Sequence, residues 1–324
     1  MDGFIISRKI DVFGLSLSGI FVFILLKLLN ADSIFYIGLA LIISVALDNG
    51  HVYMTYSRVK KEFNTNPLFF ISVPLLIIGV FTGWMYLQIP YFWSFVVYFT
   101  FFHFIRQIFG INRWYMAKEN NKNKIIDFFL YALVLLPILS IHFNSYMTLE
   151  LYTPNDFFTY KSENIFISVI AINIAVAIGW MIAEYKNYKK TNKINNYRIL
   201  FVASNVVLFT LVGYFANNYV EVLVPIMMSH GFQYLILSSD FESKIHKKKI
   251  VNIFFVLLFI GVVFGGIDTY LQELFDMDNT YMHENDFLTS VLLSILLTPL
   301  FSHYIYDMKI WKSNYILNLT KKDN

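Results

Sequence analysis

Long apolar runs separated by short polar stretches dominate this chain of 324 residues. A helix needs roughly 20 apolar residues to cross the hydrocarbon core of a bilayer, and about ten runs reach that length. They cover residues 11–29, 33–57, 68–89, 91–115, 125–143, 163–185, 197–216, 219–239, 250–267 and 286–311. Only Asn217 and Asn218 separate the seventh run from the eighth, so a tight hairpin is required there. The pattern predicts an all-α, polytopic integral membrane bundle that forms a single transmembrane domain over residues 1–324.

The basic residues alternate between the two sides of this predicted bundle. Arg8 and Lys9 precede the first run, and basic clusters follow the second, fourth, sixth, eighth and tenth runs. The opposite loops are mainly acidic, with Lys161 as their clear basic residue. Because basic loops stay in the cytoplasm, both termini are predicted to be cytoplasmic. We therefore expect a multi-pass protein of a bacterial-type inner membrane, and the first run reads as a full-length span, not a cleavable signal.

The composition is typical of a chain surrounded by lipid, and it excludes several kinds of functional site. Hydrophobic residues make up 57% of the chain and charged residues 15%, whereas soluble domains carry about 25% charge. The chain has no cysteine, which excludes disulfides, thiolate metal sites and iron–sulfur clusters. It also lacks a glycine-rich phosphate loop and a GxSxG elbow. Its basic residues form ordinary membrane-flanking loops, so we expect no nucleic-acid partner.

Four of the seven histidines fall inside predicted spans. His142, His246 and His283 lie in loops or at a span end and are interpreted as surface residues. The histidines in spans two, four, eight and ten are His51, His103, His230 and His303. All four spans run from outside to inside, and each histidine lies roughly 10–20 Å from the inner boundary at 1.5 Å per residue. Polar residues inside a bilayer are costly, so this matched depth indicates a shared function.

Each intramembrane histidine has a polar residue one helical turn away, on the same face of its helix. The pairs are Asp48 with His51, Gln107 with His103, Gln233 with His230, and Asp307 with His303. Each helix could therefore present an imidazole together with an oxygen ligand, or an imidazole with the partner that fixes its tautomer. The alternative is ordinary hydrogen bonding across helix pairs. Four matched histidines favour one shared site.

Imidazole and carboxylate without thiolate suit iron, zinc, manganese or copper(II). We favour iron, because oxygen and oxidisable substrates both dissolve in lipid. Arg106 either neutralises Asp48 or Asp307, snorkels to the interface, or holds the acidic group of a substrate. Tyr304 is one of several tyrosines that flank the histidines, and it is interpreted either as an interface residue or as a proton donor in the site.

The segments NGHVYMTY, FFHFIRQ, SHGFQYL and SHYIYD each place one histidine on a separate span. In this layout the chain resembles the Brp/Blh-type membrane β-carotene dioxygenases, which gather isolated histidines from several spans onto one iron. The resemblance covers the general arrangement, not an aligned signature. It implies iron bound by His51, His103, His230 and His303, and a carotenoid-like substrate. The HxxxH and HxxHH boxes of membrane desaturases are not present.

The leading hypothesis is an iron-dependent oxygenase or desaturase-type enzyme that takes a lipid or isoprenoid from the cytoplasmic half of the bilayer. Asp48, Arg106, Gln107, Gln233, Tyr304 and Asp307 are its candidate catalytic residues. One alternative is a proton- or cation-coupled transporter, because intramembrane histidine and aspartate also form proton relays. Another is a haem-binding electron carrier with paired histidines as axial ligands.

Overall fold

A computed structural model describes residues 3–119, 121, 123–145, 147, 149–153, 155–274 and 286–311. These residues are almost entirely helical and contain no strand. The predicted loop residue His283 and the basic residues that follow Trp311 lie outside the described ranges. Helix is the expected state of a chain in lipid, because it satisfies every backbone polar group within one segment.

The chain contains two π-helical segments and a series of α-helices. They are π1 (Ile10–Ser16), α1 (Ser18–Leu28), α2 (Ile34–Ile43), π2 (Ser44–Asn49), α3 (Gly50–Phe63), α4 (Pro67–Tyr86), α5 (Phe92–Lys118), α6 (Lys124–Ile141), α7 (Glu163–Thr191), α8 (Asn196–Phe215), α9 (Tyr219–His246), α10 (Ile250–Leu274) and α11 (Phe287–Ile310).

Nine helices of the described chain are long and apolar enough to cross a membrane, with Ile34–Val59 counted as one span built from α2, π2 and part of α3. The pair π1 and α1 would add a tenth if it is a single span. The all-α, multi-pass prediction is therefore confirmed. Several helices extend beyond the predicted apolar runs, for example α7 and α9, because the helix continues into the basic residues that follow the run.

The first predicted span, 11–29, is not a continuous helix. Its two segments meet at Leu17 with a bend of 57°. Serines flank the bend: Ser16 Oγ donates to the Asp11 carbonyl at 2.8 Å, and Ser18 Oγ donates to the Gly14 carbonyl at 3.0 Å. Serine hydroxyls that bond back to the preceding turn compete with the helix ladder and bend helices.

One compact unit contains Val97–Gln233 together with the N-terminal segment that ends at Ala40. In this unit α6 packs against α7 and α8, and α8 packs against π1 and α1. Asn123 and Asn195 cap α6 and α8, since their side chains accept hydrogen bonds from the first-turn N–H groups. Arg198, in the first turn of α8, forms a bidentate ion pair with Glu184 of α7. Glu184 is thus buried and paired, not an interfacial residue in contact with solvent.

The other compact unit contains Leu41–Val96 and the segment that begins at Tyr234. In this unit α11 packs against α3 and α4, while α10 packs against π2 and α3. Glycines bring α10 close to the start of α3: a Cβ added to Gly50 would lie 2.8 Å from the Cα atom of Gly261. Small residues are the usual means of close helix packing in membranes. This contact fixes the turn of α3 that carries His51.

Candidate metal centre

His51 and His303 form one buried pair of imidazoles. His51 is the second residue of α3 and His303 lies in α11; their side chains are 1% and 0% exposed. The ring centroids are 4.7 Å apart and the rings meet edge to face at 79°. Tyr234, on α9, contacts both rings, with centroid distances of 5.5 Å to His51 and 5.6 Å to His303.

The backbone fixes the tautomer of His51. Its Nδ1 atom lies 2.8 Å from the carbonyl oxygen of Leu47, in π2. A carbonyl oxygen only accepts, so Nδ1 carries the hydrogen and Nε2 carries the lone pair of the neutral ring. An imidazole held in this way presents Nε2 to a metal ion. Asp48, expected from its spacing to orient His51, is not the partner at Nδ1, because the Leu47 carbonyl occupies that position.

The ring of His303 is held by side chains. Its Nδ1 atom lies 2.6 Å from Thr55 Oγ1, and the Asp307 carboxylate is farther away, with Oδ2 at 3.6 Å. Thr55 also lies 2.5 Å from Tyr234 Oη, and Tyr234 donates to Asp307 Oδ1 at 3.1 Å. Asp307 therefore contacts its histidine as the one-turn spacing predicts, but Thr55 is the closer partner.

His103 and His230 form a second buried pair. They belong to α5 and α9, are 8% and 3% exposed, and have ring centroids 4.9 Å apart at 74°. Phe104 covers the His230 ring at a centroid distance of 4.7 Å. A small cavity of about 10 Å³ adjoins His230 and is lined in part by Gln107 and Ser229. This volume corresponds to about one water molecule.

The two glutamines join chain segments through their side-chain amides. Gln107 Nε2 donates to the His230 carbonyl at 2.9 Å and to Gln233 Oε1 at 3.2 Å. Gln233 Nε2 donates to the Leu15 carbonyl at 2.8 Å and to Ser229 Oγ at 2.9 Å. The amides thus fix the positions of neighbouring chain segments.

The four buried histidines form one group that could hold a metal ion. One nitrogen from each of His51, His103, His230 and His303 lies within 4.8 Å of those of the other three. Imidazole nitrogens bind zinc at about 2.0–2.1 Å in a tetrahedral arrangement, so the ligand atoms of such a site are about 3.3 Å apart. All the separations in the group are 4.8 Å or less, and the all-imidazole donor set suits iron, zinc, copper or nickel. The residues present therefore fit a metal centre.

The remaining candidate residues lie around this group in different ways. Asp48 is half-buried in π2. Tyr304 is buried, and its ring lies 5.5 Å from that of its neighbour His303. Arg106 is exposed on the outer surface of α5, where it donates to Tyr131 Oη. Its hydrogen-bond partner is therefore a tyrosine hydroxyl on the neighbouring helix α6.

Thr55 and Arg58 are the residues that the sequence analysis missed. Thr55 contacts His303 directly, and the buried Arg58 guanidinium lies between the rings of Phe241 at 4.0 Å and Trp311 at 3.8 Å. Arg58 also interacts electrostatically with Asp307. The signal that could have found them is spacing, since they follow His51 by four and seven residues and so share its helix face.

Comparison with family models, curated proteins and solved structures finds no match for this chain.

Proposed function

We propose that the chain is an integral-membrane metalloenzyme, an iron-dependent oxygenase or desaturase-type enzyme that acts on a lipid or isoprenoid substrate. The proposal rests on one observation: four buried imidazoles have ligand atoms within 4.8 Å of one another. Neutral histidines in lipid are costly, and a shared cation gives all four a common partner. Iron bound there would supply the redox chemistry that activates dioxygen towards a hydrocarbon.

The chain's own residues prepare the centre for such chemistry. Burial excludes bulk water, which strengthens electrostatic interactions inside the site and suppresses side reactions. The Leu47 carbonyl and Thr55 hold His51 and His303 in fixed orientations. Aromatic rings, such as those of Phe104 and Tyr234, cover the histidines and leave an apolar surrounding suited to a hydrocarbon. A carotenoid-like substrate is the form that the Brp/Blh resemblance implies.

The charge pattern supports a location of the proposed enzyme in a bacterial-type inner membrane. With the basic loops in the cytoplasm of a bacterial-type cell, both termini are cytoplasmic and the histidines lie in the inner half of the inner membrane. A substrate would then reach the centre from that half of the bilayer, where it is already dissolved.

Proton-coupled transport is the second candidate, and one observation favours it. Behind His303, buried Thr55, Tyr234 and Asp307 continue a chain of hydrogen bonds. Intramembrane chains of histidine and aspartate are a feature of proton pathways. A transporter of this kind needs no stoichiometric metal, and this separates it from the oxygenase.

Metal content of the full chain, purified in mild detergent without chelator, tests the proposal. Elemental analysis is run on the wild type, on a His103→Ala/His303→Ala double variant and on His246→Ala. His246 is the control because it also lies on α9 but is largely exposed. About one iron per chain in the wild type and in the control, lost from a folded double variant, is the expected result.

Oxygen uptake with membrane lipids or a carotenoid, measured on the iron-loaded wild type, then tests the oxygenase assignment. No metal in any preparation, even after anaerobic iron loading, contradicts the metalloenzyme and favours transport. Stoichiometric iron without oxygen uptake on any lipid would retain the metal centre and reject the oxygenase.

A further inference from the structure

Thr55 is the central residue of a buried hydrogen-bond chain behind His303. Its side chain is 0% exposed. Its Oγ1 atom lies 2.6 Å from His303 Nδ1, 2.5 Å from Tyr234 Oη and 3.4 Å from Asp307 Oδ1. These residues come from α3, α9 and α11, so one hydroxyl joins three helices.

The direction of the hydrogen bonds follows from the number of hydrogens available. A carboxylate only accepts, and each hydroxyl has one hydrogen to donate. Tyr234 donates to Asp307 Oδ1 at 3.1 Å, so the hydrogen between Tyr234 and Thr55 comes from Thr55. If Thr55 instead donates its hydrogen directly to Asp307 Oδ1, that hydrogen is again not available for a bond to His303. In both of these arrangements, which give the Asp307 carboxylate a hydroxyl donor, Thr55 accepts from His303 Nδ1–H, and the ring lone pair is on Nε2. The reverse order, from Tyr234 to Thr55 to His303, would take both hydroxyl hydrogens away from the buried carboxylate, which is costly.

Positive charge at the end of the chain supports this direction. The Arg58 guanidinium lies between two aromatic rings and interacts electrostatically with Asp307. Arg58 is one turn beyond Thr55 on the same face of α3. A planar cation stacked between rings is held in place, because cation–π contacts strengthen when the cation is desolvated. Its attraction to Asp307 places a cation, which can only donate hydrogen bonds, at the Asp307 end of the chain.

We propose that Thr55 is a positioning residue that fixes His303 with Nε2 directed to the metal, with Tyr234 and Asp307 setting the direction of its hydrogen bond. This rests on the metal centre of the proposed function. In His51 the Leu47 carbonyl accepts the hydrogen bond from Nδ1–H, so that ring also has its lone pair on Nε2. Outer partners of metal-bound histidines typically change metal affinity by about 10–100-fold, which is the effect expected when Thr55 loses its hydroxyl.

The test is a Co²⁺ titration of the detergent-solubilised full chain, followed by the visible absorption of the bound ion. Thr55→Val, which keeps the shape of the side chain, should weaken Co²⁺ binding about 10–100-fold. Thr55→Ser restores the hydroxyl and should bind as the wild type does. Ser57→Ala is the matched control, because it removes from the same helix a hydroxyl that donates to the local Met54 carbonyl and, within the described residues, does not contact His303.

Two further measurements keep the outcome clear. Thermal unfolding of the metal-free variants shows whether Thr55→Val still folds; if it does not, Tyr234→Phe, which keeps the ring and breaks the same chain, replaces it. Nitrogen NMR of the metal-free wild type reads the His303 tautomer directly, and a hydrogen on Nε2 would overturn the proposal.

The failures of the two proposals differ. If the wild type binds Co²⁺ and folded Thr55→Val binds it equally well, the metal centre stands and the positioning role of Thr55 is wrong. If the wild type binds neither Co²⁺ nor iron, the proposed function fails and the positioning role fails with it.

Discussion

Replacing Arg198 by methionine should lower the free energy of unfolding by about 3–5 kcal/mol, the usual cost of breaking a buried ion pair from one side. The guanidinium is 1% exposed and donates to both oxygens of Glu184, at 2.7 and 2.6 Å. Its Nε donates to Glu119 Oε1 at 2.9 Å. Methionine keeps an apolar stem but removes all three bonds and leaves two carboxylates facing each other.

The pH dependence of this variant adds a second readout. Burial already raises the pKa of the Glu119 carboxyl above its usual value, and the charge of Arg198 counteracts that rise. Without Arg198 the pKa of Glu119 rises further. A carboxyl with a raised pKa in the folded state binds its proton more tightly there than in the unfolded chain, so acidification favours the folded state. The stability deficit of Arg198→Met should therefore shrink as the pH falls from neutral.

Unfolding by titration with SDS in mixed micelles measures the difference, with thermal unfolding as a second method. Lys244→Met is the control, because the Lys244 side chain is 49% exposed and pairs at 2.7 Å with Asp240, one turn earlier on the same helix. Exposed pairs contribute only about 0–1 kcal/mol. Equal losses in the two variants, or a deficit for Arg198→Met that does not change with pH, would refute the reasoning.

Two other predictions concern packing and the outer surface. In Gly265→Ala the new Cβ collides with the Val45 carbonyl oxygen, and overpacking of this kind costs about 1–3 kcal/mol; thermal unfolding measures it, and Gly266→Ala, whose Cβ makes an ordinary contact at 3.9 Å, should be nearly neutral. Arg106→Gln should leave metal content unchanged, because Arg106 is exposed and bonds to Tyr131; loss of metal in a folded Arg106→Gln protein would place Arg106 in the site after all.

Much of the architecture could be predicted from hydrophobic run length, because the bilayer thickness sets the length of each span. The described helices begin close to the predicted runs. What run length cannot give is the local geometry within a run. The bend at Leu17 and the π-helical turn at Ser44–Asn49 depend on how side chains and neighbouring helices compete with the backbone ladder, and neither changes the hydropathy.

The four histidines could be predicted from their depth, but most of their partners could not. The one-turn rule names residues that share a helix face, whereas a buried nitrogen bonds to the nearest suitable group on any helix. For His51 that group is the Leu47 carbonyl, and for His303 it is Thr55 from another helix. Helix rotation also decides that Arg106 faces outward, and a single sequence does not determine rotation.

The contacts of the histidines favour the proposed metal centre over ordinary polar contacts between helices. Histidines that only join helices are expected to meet complementary donors and acceptors, such as amides or hydroxyls. Here imidazole packs on imidazole in both pairs, while the glutamines one turn away bond to backbone carbonyls. Two neutral imidazoles share at most one hydrogen bond with each other. In His51 and His303, Nδ1 is engaged by a group outside the cluster, so Nε2 is the nitrogen that each ring would offer to a metal ion.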